Sequence, residues 1–286
     1  MKIVIVTDDN SGFKKDEIKG LPIYILRMPI LIDGECFFED ENLDEDTFYN
    51  KQKTCDKVCT SQPSPGEIMK VWDLLLKEYD AILHIPMSSG LSATCETAKA
   101  LAENYDGKVV VVDNHRISVT LKRSIYNAIN LIKDGKTPEE IKDILENGMS
   151  ATSIYIMVDT LTYLKKGGRV TAAGAAIANT LHIKPILAIN GYKLDAKAKA
   201  IGTKNAKRMM IQLIHHDLDT KFKGIPIEDL EFGMAYTHNL DDALEFKEEF
   251  IKEFNPKNFI MNPLSLSIAV HIGPGSLAVT ISKIVK

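Results

Sequence analysis

Cysteine is scarce and carries no pairing pattern: the 286 residues hold four, Cys36, Cys55, Cys59 and Cys95, with no CxxC among them. Cys55 and Cys59 have no second His or Cys pair nearby to complete a zinc site, so free thiols in a reducing compartment are expected. Charge of one sign is missing as well. The 35 Lys and Arg residues stand against 39 Asp and Glu, a net charge of −4, with the lysines dispersed among acidic neighbours. Nothing here predicts a broad attraction to nucleic acid or to an anionic membrane.

No leader peptide is expected, since Met1-Lys2 is followed by Ile3 to Val6 and then Asp8-Asp9, which reads as a strand and its acidic loop. A cytoplasmic location is the expectation. The longest stretch free of formal charge, Phe259 to Ser282, carries Pro263, His271, Gly273, Pro274 and Gly275. A membrane-spanning helix tolerates these poorly together, so no stable membrane insertion is expected.

Several catalytic signatures are absent. There is no GxxxxGK[ST] loop for ATP, no GxGxxG after the first strand, no GxSxG elbow and no HExxH. No cofactor and no metal are expected.

What is present is the alternation of an α/β protein. Hydrophobic residues make up 45% of the chain, enough for two cores of ordinary size. KIVIVT and YILRMPILI read as strands, and Asp33-Gly34 reads as a hairpin turn before ECFFE. Asp44 caps a short helix. Ser64-Pro65-Gly66-Glu67 is a capping box with proline at the first helical position, and Thr137-Pro138-Glu139-Glu140 is a second. Between them run strand AILHIPM, helix SATCETAKALAENY, strand KVVVVD and a long helix through Lys133. The soft segment Glu146 to Ser153 predicts a boundary near residue 150, giving an N-terminal α/β domain over 1–150 and a C-terminal α/β domain over 151–286. The second half repeats the pattern: strand IYIMVD, helix TLTYLKK, small-residue helix VTAAGAAIANTL, a hairpin around Asn190-Gly191, a basic helix, strand FGMAYTH and helix DDALEFKEEFIKEF. Mainly parallel sheets flanked by helices follow from this alternation.

Four groups of residues carry chemistry. Ser88-Ser89-Gly90-Leu91-Ser92 joins a strand to a helix and sets hydroxyls at the positive end of that helix, which suits an anion; serine is also among the commonest helix caps. In the loop CTSQPSPGE, Ser64 already supplies the cap, which leaves Thr60 and Ser61 without a local role. Two such loops make a plausible pincer around a carboxylate or phosphate. Arg169 follows Gly167-Gly168; the glycines explain themselves as a helix end, and the guanidinium suits either surface charge or an acid group. His271 sits in the uncharged tail before Gly273-Pro274-Gly275, either as a core histidine held by backbone or as a donor to an acidic head group.

Five segments occur in one order: Thr60-Ser61-Gln62-Pro63-Ser64-Pro65-Gly66-Glu67, Ser88-Ser89-Gly90-Leu91-Ser92-Ala93-Thr94, Tyr163-Leu164-Lys165-Lys166-Gly167-Gly168-Arg169, Ile183-Lys184-Pro185-Ile186-Leu187 and His271-Ile272-Gly273-Pro274-Gly275. Together they resemble the DegV family of bacterial fatty-acid-binding proteins across nearly the whole chain. The resemblance implies two α/β domains, with a long acyl chain in an apolar cavity of the C-terminal one and its carboxylate near the domain junction. Carried over by motif, Thr60 and Ser92 touch the carboxylate, with Ser61, Ser89 and His271 close by and Arg169 near the head group or on a surface offered to a partner. Some members hand the acid to a separate ATP-dependent fatty acid kinase. Where family members often carry Lys-x-Arg, this chain has Lys199-Ala200-Ile201. Ala93 stands where glycine is usual, and Cys95 where an aromatic residue is common.

The expected function is therefore a non-enzymatic carrier of a long-chain fatty acid such as palmitate or oleate, serving lipid transport or fatty acid metabolism. The rival is a serine-dependent esterase or acyltransferase using Ser92 with His271, although no acidic residue suggests itself to orient the imidazole. A third reading is a lipid-sensing protein that regulates a partner.

Overall fold

The structure is a computed structural model that describes residues 1–176, 182–189 and 192–286. In chain order the first half contains β1 (Ile3–Asp8), β2 (Ile23–Leu26), β3 (Ile30–Ile32), β4 (Glu35–Phe37), α1 (Glu45–Thr54), β5 (Val58–Thr60), α2 (Pro65–Leu75), β6 (Ala81–His84), α3 (Thr94–Ala102), β7 (Val109–Val111), α4 (Val119–Lys133) and α5 (Pro138–Asn147). Four of these strands form a parallel sheet in the order β2-β1-β6-β7. Because side chains alternate along a strand, β1 feeds two cores: Ile3 and Ile5 pack with Ile125 and Ile141 of α4 and α5, while Val4 and Val6 pack with Trp72 and Ala98 of α2 and α3.

Both capping boxes are formed: Ser64 and Glu67 bond reciprocally at the start of α2, as do Thr137 and Glu140 at the start of α5. Asp44 caps α1 by accepting the Thr47 N–H. The run YILRMPILI, expected as one strand, is two. Its first part lies in the parallel sheet, and its second lies in a small antiparallel sheet of order β4-β3-β5. The break falls at Arg27-Met28, where the Asp9 carboxylate accepts from both the Arg27 guanidinium and the Met28 N–H and draws the chain out of the sheet. The Asp33-Gly34 turn joins β3 to β4 with φ of 48° and 91°, the left-handed pair that a tight hairpin requires.

The second half contains β8 (Thr152–Met157), α6 (Thr162–Gly167), α7 (Ala172–Ala175), β9 (Ile183–Ile189), β10 (Leu194–Ile201), α8 (Thr203–Asp219), β11 (Leu230–Tyr236), α9 (Leu240–Phe254), β12 (Asn258–Pro263), α10 (Leu266–Ile272) and β13 (Leu277–Lys283). Its sheet runs β10-β9-β8-β13-β11-β12 and is mixed, with only the β11–β12 pair parallel. That departs from the expectation of mainly parallel sheets. A hairpin fixes β9 against β10, and the last strand inserts between β8 and β11 antiparallel to both. The uncharged tail thus supplies two strands and a helix.

Period-two alternation gives this sheet two distinct faces. Tyr155 and Met157 of β8, Phe232 and Met234 of β11, and Val279 and Ile281 of β13 pack under α8 and α9 with Met210, Ile214, Phe246 and Phe250. The opposite face presents Ile154, Ile156, Ala235 and Ala278 toward α4 and the first half of the chain. Among the described residues, no helix is long and apolar enough to cross a membrane.

Candidate functional site

Between the inner face of the second-half sheet and the loops that follow the strands of the first half lies a cavity of about 310 Å³. Its apolar walls are the inner face of the second sheet together with Ile117 and Val119 at the start of α4 and Ile268 and Ile272 on α10. Room exists there because the sheet residues Ala235 and Ala278 are small. The helix VTAAGAAIANTL, by its small side chains, suits a tunnel wall and close helix packing equally. Its described part, α7, contributes no lining residue, since Ala172 and Ala173 are exposed; residues 177–181, and the turn residues 190–191, lie outside the described residues.

The polar end of the cavity gathers Thr60, Ser61, Ser92, Arg169 and His271 from four separate segments. The Thr60 hydroxyl and His271 Nε2 are 2.7 Å apart. The ring is seated against the end of α6: a Cβ added to Gly167 would come within 2.5 Å of His271 Nδ1, so only glycine leaves the imidazole its place. Burial, with the Arg169 charge beside it, lowers the His271 pKa to about 4. The ring is therefore neutral at ordinary pH, and its hydrogen bond to Thr60 can run in either direction.

Arg169 ties the two halves together at this point. Its Nε donates to the Leu91 carbonyl at 3.3 Å and its Nη1 to the Gly167 carbonyl at 2.5 Å. The guanidinium thus braces the loop carrying Ser92 against the loop that seats His271, and places a fixed positive charge beside three hydroxyls.

Ser92 rather than Ser89 serves the start of α3. Its hydroxyl accepts the Thr94 N–H at 3.2 Å and lies 2.9 Å from the Thr94 hydroxyl. Ser89, expected both as a cap and near the head group, is turned away: it is not among the cavity-lining residues, and its N–H donates to Asp113 at 3.3 Å. Burial pushes the Asp113 carboxyl up, but hydrogen bonds from the Ser89 hydroxyl and N–H, with His115 and Lys99 alongside, leave it below its ordinary range. The physical reason is length, because α3 starts at Thr94, too far along for Ser89 to reach its first amides.

Sequence reasoning did not single out Asn10, Ser267 or Gln62, which also line the cavity. Asn10 Oδ1 accepts from Ser265 at 2.9 Å and from Ser267 at 2.6 Å, stitching the first loop to α10 across more than 250 residues. Gln62 lies in the Thr60–Glu67 segment and Asn10 in the loop after the first strand, and neither residue type nor spacing marks them as walls of the site.

The arrangement defines a class: an α/β protein whose six-stranded sheet walls an apolar cavity with one polar, cationic end. The model of the DegV family, described as an uncharacterised protein family, matches residues 2–283. This chain belongs to the DegV family. It is 29% identical over 283 residues to Protein DegV of Bacillus subtilis, covering 98% of each chain, and 30% identical over 285 residues to a DegV domain-containing protein of Clostridium acetobutylicum, covering 98% of this chain and 97% of the relative. Among solved structures it is similar to a DegV family protein from Thermus thermophilus described for its fatty acid binding, with a TM-score of 0.90, 25% identity, and 99% and 100% of the two chains covered. It is also similar to DegV from Bacillus subtilis, described as a fatty acid binding protein, with a TM-score of 0.86, 27% identity, and 99% of each chain covered.

Proposed function

We propose that this protein is a carrier that buries the acyl chain of a long-chain fatty acid such as palmitate or oleate and holds its carboxylate with Thr60, Ser61 and Ser92, beside His271 and Arg169. The observation that carries this reading is the cavity itself, apolar along the second sheet and closed at one end by the 2.7 Å Thr60–His271 pair next to a guanidinium. The described fatty acid binding of two structural relatives supports it. Energetics divide the work. About fifteen methylenes at ~0.8 kcal/mol each give a gross driving force of roughly 12 kcal/mol, whereas a charge-assisted hydrogen bond nets about 1.5–3 kcal/mol. The chain supplies affinity and the hydroxyls supply orientation.

In this reading the head group sits where a first unit, residues 1–150, meets a second, 151–286, and the protein works in the cytoplasm in lipid transport or fatty acid metabolism. Presentation of the acid to a fatty acid kinase is part of the proposal, with Ile201, 73% exposed at the end of β10, replacing the arginine usual there. The serine-dependent esterase has less support. The Ser92 hydroxyl is engaged by Thr94, and His271 Nε2 is paired with Thr60 rather than with Ser92. The test is organic extraction of the purified protein with mass spectrometry of the lipid, followed by titration of stripped protein with palmitate and oleate. Recovered or rebound fatty acid supports the proposal; neither retention nor uptake overturns it. Stoichiometric labelling of Ser92 by a serine-reactive probe would favour the esterase.

A further inference from the structure

The alternation that turns Ala278 of β13 toward the cavity turns Thr280 there too, two residues further along the strand. Thr280 is 4% exposed and lines the cavity, and no hydrogen bond to its hydroxyl is seen among the described residues. It hangs over its cross-strand neighbour Gly233: a Cβ built there would lie 2.6 Å from Thr280 Oγ1 and 3.2 Å from Val119 Cγ2. Beside Val119, at the start of α4, Ser118 also lines the cavity; it is 7% exposed, and its hydroxyl is buried without a partner. Its backbone stands at φ 56°, in the left-handed region that serine rarely adopts.

Valine would match the shape of Thr280, suit a strand and leave no hydroxyl unsatisfied. The Ser118 hydroxyl, buried and unpartnered on the helix wall, is a cost that an unmodified hydrocarbon chain would not relieve, and Thr280 lines the same cavity from the sheet wall. Along the chain they stand apart from the head-group residues: Ser118 precedes α4, and Thr280, the fourth residue of β13, follows the turn after His271.

We propose that Ser118 and Thr280 form a second polar subsite that takes an oxygen carried on the acyl chain, so that the ligand class includes long-chain fatty acids bearing a hydroxyl or keto group beyond the carboxylate. This rests on the reading that the cavity holds a fatty acid. A chain hydroxyl can donate to one protein hydroxyl and accept from the other; a keto oxygen accepts from either.

The test is a titration of the stripped full-length protein with stearate and with a positional series of monohydroxystearates. At least one isomer is expected to bind about tenfold more tightly than stearate. That ratio is expected to fall to about one in Thr280→Val and to persist in Thr280→Ser, which keeps the hydroxyl. Stearate binding with no preferred isomer, or a preference that survives Thr280→Val, overturns this inference alone. Failure of stearate and of every isomer to bind overturns the fatty acid reading and this inference with it.

Discussion

Thr60 and His271, 211 residues apart in the chain, meet at 2.7 Å and close the polar end of the cavity. A neutral imidazole protonated at Nε2 donates to the Thr60 oxygen and leaves the Thr60 O–H free to donate to a carboxylate, whereas the Nδ1–H tautomer would take that proton itself. Thr60→Val is expected to weaken palmitate binding about 10- to 100-fold, that is by about 1–3 kcal/mol, as read by titration calorimetry. Unchanged affinity would remove Thr60 from the head-group site.

Gly167→Ala tests the seat of the ring. The new methyl would meet His271 Nδ1 at 2.5 Å, so the imidazole must move away from Thr60. Fatty acid affinity is expected to fall about tenfold, while thermal stability drops by about 1–3 kcal/mol from the overpacking.

Ser92→Ala removes two things at once. The Thr94 N–H loses its acceptor at the start of α3, a loss of about 1 kcal/mol in unfolding free energy, and the ligand loses a hydroxyl. Denaturant unfolding and ligand titration of the same variant separate the two effects, and a change in neither would contradict both roles.

Stability is expected to fall in acid through two buried imidazoles. Burial lowers His84 to about 3, with both ring nitrogens unpartnered among the described residues, and His271 to about 4. The unfolded chain protonates near pH 6.5 while the folded one resists, so the loss begins below pH 6.5 and grows until the folded groups titrate. For His84 alone the loss at pH 5 is about 2 kcal/mol. Melting curves from pH 7 to 5 check this, and His84→Leu is expected to flatten the slope.

Local chemistry was the legible part of the fold. The Ser64 and Thr137 capping boxes and the Asp33-Gly34 turn are encoded within four residues each, and the structure forms all three. The direction of strands in the second sheet was not legible, because it depends on where β13 inserts, a contact set by residues more than a hundred positions away. The same holds inside the site. Thr60, Ser61, Ser92, Arg169 and His271 could be picked out by residue type and turn context, and they share one cavity. Asn10 could not be tied to Ser265 and Ser267, since nothing local links the first loop to α10. Ser89 was misplaced because the first turn of α3 begins later than its composition suggests.

The central claim is that the carboxylate lies at the Thr60, Ser92 and His271 end with the chain running along the inner face of the second sheet. A crystal structure of the palmitate complex tests it most directly. The account predicts carboxylate oxygens within hydrogen-bond distance of the Thr60 and Ser92 hydroxyls and the acyl chain between Ile154, Ala278 and Val119; a carboxylate at the far end, or a chain outside this cavity, would contradict it.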